Sequence, residues 1–451
     1  MTTTIEKPTQ RGKLSMYQVG ALLALACLNM QDGFDILAIT FSAGAIAEDW
    51  GLQRTQLGIV FSASLFGMML GAMFLSPFAD KVGRRIMTVI GLCISGVGMI
   101  IAASASNIEL LVAGRLMTGV GIGGILASLN TLAAEYAGER FSSLAVATFQ
   151  LGYPLGAFFA GYIASWMLDI GTWRHVFWFG AALSFFFVPI ILLLPESTDY
   201  LAKTGKSDAL SQINRIRRRF GREPLEKLDT HHNDTHPGLV AGVLMLFAPR
   251  YALRTLLIWS AFFLLLISLY FVLSWTPRIL VEMGFDEDVG NLGGRLLNLA
   301  GMFGMIGVGV LATLLRPPLA ATIYLFAMIC GLIALSMASQ QLAVILFAVS
   351  VVGFFTHGSM VGLYAVVPTL YPTELRATGT GWAIGLSRFG AIIGPAGAGI
   401  LLDQKVPMQL LFQVFVVPVA LSALCAMGLW VLARREATDR NLRHSNRPSK
   451  I

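Results

Sequence analysis

Apolar runs of about 20 residues recur along this chain, each long enough to cross the ~30 Å hydrocarbon core of a bilayer as a helix. Lipid offers no water to satisfy backbone N–H and C=O groups, so such runs must be helical. Reading them between charged or Pro/Gly-marked breaks predicts twelve spans, near 17–43, 55–78, 86–104, 108–132, 142–168, 174–194, 253–276, 291–315, 319–338, 342–368, 377–402 and 407–433. Charged residues are only 13% of the 451, against about a quarter in soluble domains, so the chain lacks the polar surface of a water-soluble globule. The expected fold class is an all-α integral membrane protein with twelve transmembrane helices.

One long polar stretch, 195–252, divides six spans from six. The expected organisation is a cytoplasmic tail 1–16, a six-helix bundle 17–194, a cytoplasmic central loop 195–252, a second six-helix bundle 253–433 and a cytoplasmic tail 434–451. The loop has too few apolar residues for a core of its own, so short amphipathic helices are expected there. With the N-terminus inside, the cytoplasmic side collects Lys7, Arg11, Lys13, Lys81, Arg84, Arg85, Arg140, the basic loop (Lys206 included), Arg316, Arg376 and the tail from Arg434 to Lys450. The far side keeps Arg54, Arg174, Arg278, Arg295 and Lys405. Lys and Arg bias short loops toward the cytoplasm, which predicts both termini inside a bacterial inner membrane. The net charge of +7 follows from this bias and implies no nucleic-acid partner. The polar first 14 residues and the absence of a small-residue cleavage site predict no signal peptide. Cys27, Cys93, Cys330 and Cys425 each lie in an apolar run without metal or redox spacing and read as small packing residues.

The halves resemble each other at an offset of 234 residues. Glu135 to Arg140, then Gly152-Tyr153-Pro154-Leu155-Gly156, correspond to Tyr371-Pro372-Thr373-Glu374-Leu375-Arg376, then Arg388-Phe389-Gly390 and Gly394-Pro395. Two pseudo-symmetric six-helix bundles with substrate between them near the midplane are one transporter plan. The repeat fails at Asp32, Asp35 and Arg115, which map onto Leu266, Leu269 and Val349. Ionisable residues inside the bilayer thus belong to one half only, which points to a proton-handling half and a half doing more of the substrate contact.

Between spans two and three stands Ser76-Pro77-Phe78-Ala79-Asp80-Lys81-Val82-Gly83-Arg84-Arg85, and span four carries Arg115-Leu116-Met117-Thr118-Gly119-Val120-Gly121. Both elements resemble signatures of the major facilitator superfamily, with Ser76 replacing a leading glycine. Pro195-Glu196-Ser197 closes the first half in the usual place, and the second-half copy of the loop, Leu314-Leu315-Arg316-Pro317-Pro318, lacks an acidic residue. Asp32-Gly33-Phe34-Asp35 in span one is similar to an element of the aromatic acid:proton symporter family within that superfamily. Trp173-Arg174 and the Tyr270-Phe271…Trp275-Thr276-Pro277 pattern also look familial. The resemblance implies the major facilitator fold and import of a benzoate-, hydroxybenzoate- or phenylpropanoid-like acid by proton symport through alternating access.

Asp32 and Asp35 are three residues apart, which places both carboxylates toward one face of a helix. Charges at membrane depth cost several kcal/mol and persist where they serve a pathway or find partners. Two close carboxylates in low dielectric do not both ionise easily, so the pair suits loading and release of a proton. By depth, Asp32 lies roughly 22 Å from the inner end of span one and Arg115 about 20 Å from the inner face, so a switchable Asp32–Arg115 pair is the expected coupling device, with a permanent ion pair as its rival. Arg388, near the middle of span eleven, could clamp a substrate carboxylate bidentately or serve packing or a gate. His357 could titrate near neutral pH or hydrogen-bond a backbone carbonyl. Phe34, Tyr153, Trp259, Tyr270, Trp275, Tyr364 and Trp382 are candidate aromatic walls, any of which could instead face lipid. Gln150 and Asn298 are amides that seldom face lipid. The expected substrate set is Arg388, Phe34, Gln150, Tyr153, Asn298, His357, Tyr364 and Trp382.

Asp80, Arg84, Arg85, Glu135, Glu374 and Arg376 fall at cytoplasmic helix ends and read as an inner gate of weak ion pairs. No phosphate-binding loop, metal-ligand cluster or nucleophile–base pair is present in the sequence, so the reading is a monomeric carrier, not an enzyme. It uses a proton gradient and no cofactor or metal. Carriage of a non-aromatic or sugar acid, proton-driven export, and a ligand sensor on a transporter fold are the alternatives.

Overall fold

A computed structural model describes residues 14–138, 141–204, 207–227, 239–338 and 341–445. Lys7, Arg11, Lys13, Arg140, Lys206, Lys450 and the side chain of Glu374 lie outside the described residues. Among the described residues, twelve helices are long and apolar enough to cross a membrane. They are α1 Met16–Trp50, α2 Arg54–Val82, α3 Arg84–Ala103, α4 Ile108–Ala137, α5 Ser142–Ile170 and α6 Trp173–Leu193. The second six are α7 Ala252–Glu282, α8 Glu287–Leu314, α9 Pro317–Ser336, α10 Leu342–Leu370, α11 Thr373–Asp403 and α12 Met408–Ser445. Several overrun the spans expected from hydropathy, α1 to Trp50 and α7 to Glu282, because a helix continues past the apolar core where its polar end meets water.

Local signals set the ends. Ser15 and Gln18 form a capping box at the start of α1, Asn107 accepts from Leu110 N at 2.9 Å to cap α4, and Gly51 ends α1 in the left-handed region. Within α2 the α-helix gives way to a π turn at Gly71–Leu75 and a 3-10 turn at Ser76–Phe78, where Pro77 has no N–H to continue the ladder. Gly83, at φ +100°, turns the chain into α3, and a Cβ there would lie 2.5 Å from Glu196 Oε2.

Glycines bring helices to backbone contact in matching places. Gly119 of α4 lies on the carbonyl of Ser64 in α2, and Gly353 of α10 lies on that of Leu297 in α8. Gly156 of α5 meets the Met30 carbonyl of α1, while Gly390 of α11 meets that of Phe263 in α7. Both pairs of glycines are 234 residues apart (353 − 119 and 390 − 156), so the sequence repeat is a packing repeat. The halves join through α2 with α11, α5 with α8, and α1 with α7.

The central segment carries three short helices, Thr198–Lys203, Ala209–Arg219 and Leu239–Leu246. The second is amphipathic. It buries Ile213 and Ile216, with Phe220 after it, against the first-half cluster of Tyr136, Leu129 and Leu25. Its last turn carries Arg217, Arg218 and Arg219, which suit the negative end of a helix. Leu239–Leu246 is instead apolar throughout, unlike the amphipathic helices expected there.

Candidate substrate and proton site

Three residues on α1 separate Asp32 from Asp35, about 60° around the axis, and that rotation sends them to different surroundings. Asp32 faces the interface between the halves, where the charge acting on it is Arg388 of α11. Asp35 points into the first half, where Ser95 Oγ donates to its Oδ2 at 3.1 Å and Arg115 Nη2 donates to its backbone carbonyl at 2.7 Å. The pairing expected from depth, Asp32 with Arg115, is therefore corrected. Depth fixes position along an axis, and rotation about that axis gives Arg115 to Asp35 and Asp32 to Arg388.

Arg115 is fully buried, its guanidinium over the Phe177 ring at 5.9 Å, so it ties α1 to α4 and α6 inside one bundle. Arg388 is only half-buried and belongs to a cluster drawn from both halves. Its Nη1 donates to Tyr270 OH at 3.2 Å, and Tyr364, Asp32 and Tyr153 surround the same guanidinium electrostatically. Tyr153 OH and Asp32 Oδ1 are buried without a hydrogen-bond partner. The cluster thus offers a fixed planar cation, three phenol groups and a carboxylate that competes for the cation. A carboxylate-bearing ring needs those groups.

The other expected substrate residues divide. Gln150 is half-buried three residues before Tyr153, on its side of α5. His357 lies two turns before Tyr364 on the same face of α10, about 10 Å along the axis. Its Nδ1 faces the Gly353 carbonyl at 3.3 Å and its Nε2 is buried without a partner. Asn298 donates to the Gly294 carbonyl at 2.9 Å and keeps Oδ1 unpartnered. Phe34 does not join the cluster. It packs edge-on against Phe179 of α6 at 5.4 Å, because one residue beyond Gly33 the helix has turned into the first half. Trp382 does not join it either. It shares an exposed apolar stripe of α11 with Leu386, Phe389 and Ile393, and stacks on Trp259 at 6.0 Å. Trp275 donates to the Pro395 carbonyl at 3.0 Å and packs on Phe61, in the seam between the halves.

That seam closes the side away from the termini. Arg54 Nε reaches Glu282 Oε1 at 3.1 Å, Asp403 accepts from the backbone of Arg54 and Thr55, and Ser62 donates to the Ile392 carbonyl at 2.8 Å. Asn291 donates to Ser165 at 3.2 Å, and Gly44 abuts Glu287. All of these bridges lie in the parts of α1, α2, α5, α7, α8 and α11 far from the terminus side. On the terminus side, Arg84 pairs with Glu135, which also accepts from Ser197 Oγ at 2.8 Å and Thr198 N at 2.9 Å. Arg85 N donates to Glu196 at 3.0 Å. Arg222, whose guanidinium burial and the nearby Arg217 push below the ordinary arginine range, donates to the Glu135 carbonyl at 3.1 Å. These bonds stay within the first half and its following segment. Asp80 and Arg376 are exposed.

Sequence reading did not single out Ser95 or the bridging acids Glu282, Glu287 and Asp403. Arg54 and Arg278 were weighed there only as topology. The signal for Tyr270 was present in the Tyr270…Pro277 pattern. The bridging acids gave none, since a charge at a helix end reads equally well as solvated.

Comparison with known proteins places this architecture. The family model described as Major Facilitator Superfamily matches residues 22–383 and 315–450. The chain is 31% identical to a 4-hydroxybenzoate transporter, PcaK, of Acinetobacter baylyi, over 94% of each chain. It is 30% identical to a gallate transporter of Pseudomonas putida, over 92% of each. It is 31% identical to a 3-(3-hydroxy-phenyl)propionate transporter of Escherichia coli, over 88% of this chain and 89% of that one. Among solved structures, the xylose transporter XylE of E. coli in a partially occluded inward open conformation superposes with a TM-score of 0.71 at 16% identity. That match covers 92% of this chain and 98% of the other.

Proposed function

Because the chain belongs to the major facilitator superfamily, in its aromatic acid:proton symporter family, we propose that it imports an aromatic carboxylate together with a proton by alternating access. It is a multi-pass membrane carrier and not an enzyme. The observation that carries the reading is Asp32 of one half set against Arg388 of the other, inside a ring of Tyr153, Tyr270 and Tyr364. Ionised, Asp32 competes for the guanidinium that a substrate carboxylate needs. Protonated, it gives that guanidinium up, so proton and anion load together and the loaded centre carries one charge fewer to bury. Tyr270 OH and Tyr153 OH then serve the carboxylate oxygens, and the phenol rings flank an aromatic body. The relatives named for 4-hydroxybenzoate, gallate and hydroxyphenylpropionate support the substrate class. The Lys/Arg bias of the loops supports a bacterial inner membrane with both termini cytoplasmic. Closure of the far side with Arg388 half-exposed fits the state that releases substrate inward.

The test is uptake of labelled 4-hydroxybenzoate, benzoate and 3-phenylpropionate into proteoliposomes under an inward proton gradient, with an uncoupler control and Asp32→Asn beside the wild type. Uncoupler-sensitive accumulation that Asp32→Asn abolishes is expected. Failure of folded protein to move any aromatic acid would overturn the substrate class, and accumulation surviving Asp32→Asn would overturn the coupling.

A further inference from the structure

The two signature loops differ in what fills them. In the first half Glu135 accepts from Arg84, Ser197 and Thr198, and Tyr136 OH donates to the Pro195 carbonyl at 2.5 Å. Adding the repeat offset of 234 to Arg84, Glu135, Tyr136, Pro195 and Thr198 gives Pro318, Thr369, Leu370, Leu429 and Leu432. All five line one cavity of about 250 Å³, together with Arg254 and Arg316. Where the first half supplies its own carboxylate, the second has Thr369, an apolar floor and two guanidinium groups, with no carboxylate among the residues lining the cavity.

We propose that this cavity binds the phosphate of an anionic phospholipid headgroup at the membrane face on the terminus side. Guanidinium forks match phosphate oxygens, and basic pockets between membrane helices at this level recognise such headgroups. Arg316 Nη1 donates to the Ala433 carbonyl at 3.3 Å, which fixes that guanidinium at the rim. Leu314, Leu253 and Leu256 are exposed apolar side chains at the same end of α8 and α7, where acyl chains and not water would meet them. Arg434 and Arg435 follow Ala433 directly and add positive charge to the approach. The first half, with Glu135 in the equivalent place, is closed to such a ligand by its own chemistry.

The full-length protein in detergent would be titrated with phosphatidylglycerol, phosphatidylcholine and inorganic phosphate, and bound lipid counted by native mass spectrometry. The wild type is expected to retain phosphatidylglycerol over phosphatidylcholine. Arg316→Ala should lower that retention about fivefold, the factor one cation near the membrane surface contributes. Thr369→Glu, which installs the carboxylate of the first half, should lower it at least as much, and Thr369→Val should leave it unchanged. Equal retention of the two lipids, or retention indifferent to Thr369→Glu, would overturn the proposal. Inorganic phosphate that binds and excludes phosphatidylglycerol equally well would assign the cavity to a soluble anion and overturn the lipid as its occupant.

Discussion

Asp403, at the end of α11, sets its carboxylate on the backbone N–H groups of Thr55 at 2.7 Å and Arg54 at 3.1 Å, so the second half caps the first turn of a helix in the other half. An N-cap stabilises a helix start by about 1 kcal/mol, and here the same bonds exist only while the far side is shut. Asp403→Ala should raise labelling of a single cysteine at position 62 by a membrane-impermeant maleimide about fivefold, the population change that a lost cap permits. Unchanged labelling would show that the cap does not contribute to closure.

The two aspartates of α1 should separate in one pair of measurements. Asp35→Asn leaves the fully buried Arg115 without the carboxylate facing it, which costs about 3 kcal/mol and should lower the melting temperature clearly. Asp32→Asn, at the interface, should melt like wild type, lose gradient-driven accumulation and keep substrate exchange. A melting loss in Asp32→Asn equal to that in Asp35→Asn would refute the division of labour.

The same residue sets the pH response. Ionised Asp32 holds Arg388 against substrate, so initial uptake should fall as external pH rises and the Asp32→Asn profile should be flat. The measurement is initial rate against external pH at fixed internal pH, and a wild-type rate that climbs with pH would contradict the competition.

Arg388→Lys keeps the charge but loses the planar fork and the bond to Tyr270. Loss of one charge-assisted hydrogen bond is worth about 1.5–3 kcal/mol, so half-saturation should rise at least about tenfold with protein level unchanged.

Gly381 and Gly385 lie on the face of α11 that continues from Arg388, Pro395 and Gly399, yet a Cβ at either would meet nothing within 4 Å. Both face the open terminus side. Valine at either position should fold and melt normally but stop transport, because the added side chain fills the surface that must close in the alternate state. Full transport by either variant would show that α11 closes on another face.

How far the sequence reached follows from what each residue depends on. Span number and the 234-residue repeat rest on hydropathy and chain order, which are properties of the sequence itself. The partners of Asp32 rest on rotation about a helix axis, and a shift of about 60° separates Asp32 from Asp35 in role. Phe34 was lost for the same reason, lying one residue past Gly33. Trp382 was lost because an indole on a lipid-facing stripe and one in a pocket have the same sequence appearance. Tyr153, Tyr364 and Arg388 were legible because polar groups deep in an apolar run have few places to go.

At the closed side, Gly58 lies against the Pro395 carbonyl and Gly399 against the backbone of Arg54, main chain upon main chain. Side chains can rotate to plug a narrow gap, but backbone cannot. A door built this way has two positions and no crack between them, so a half-turned carrier would present no continuous file of water for protons to run down. Leak is then limited by geometry, and the gradient that the cell maintains is drawn down only by complete strokes of the machine.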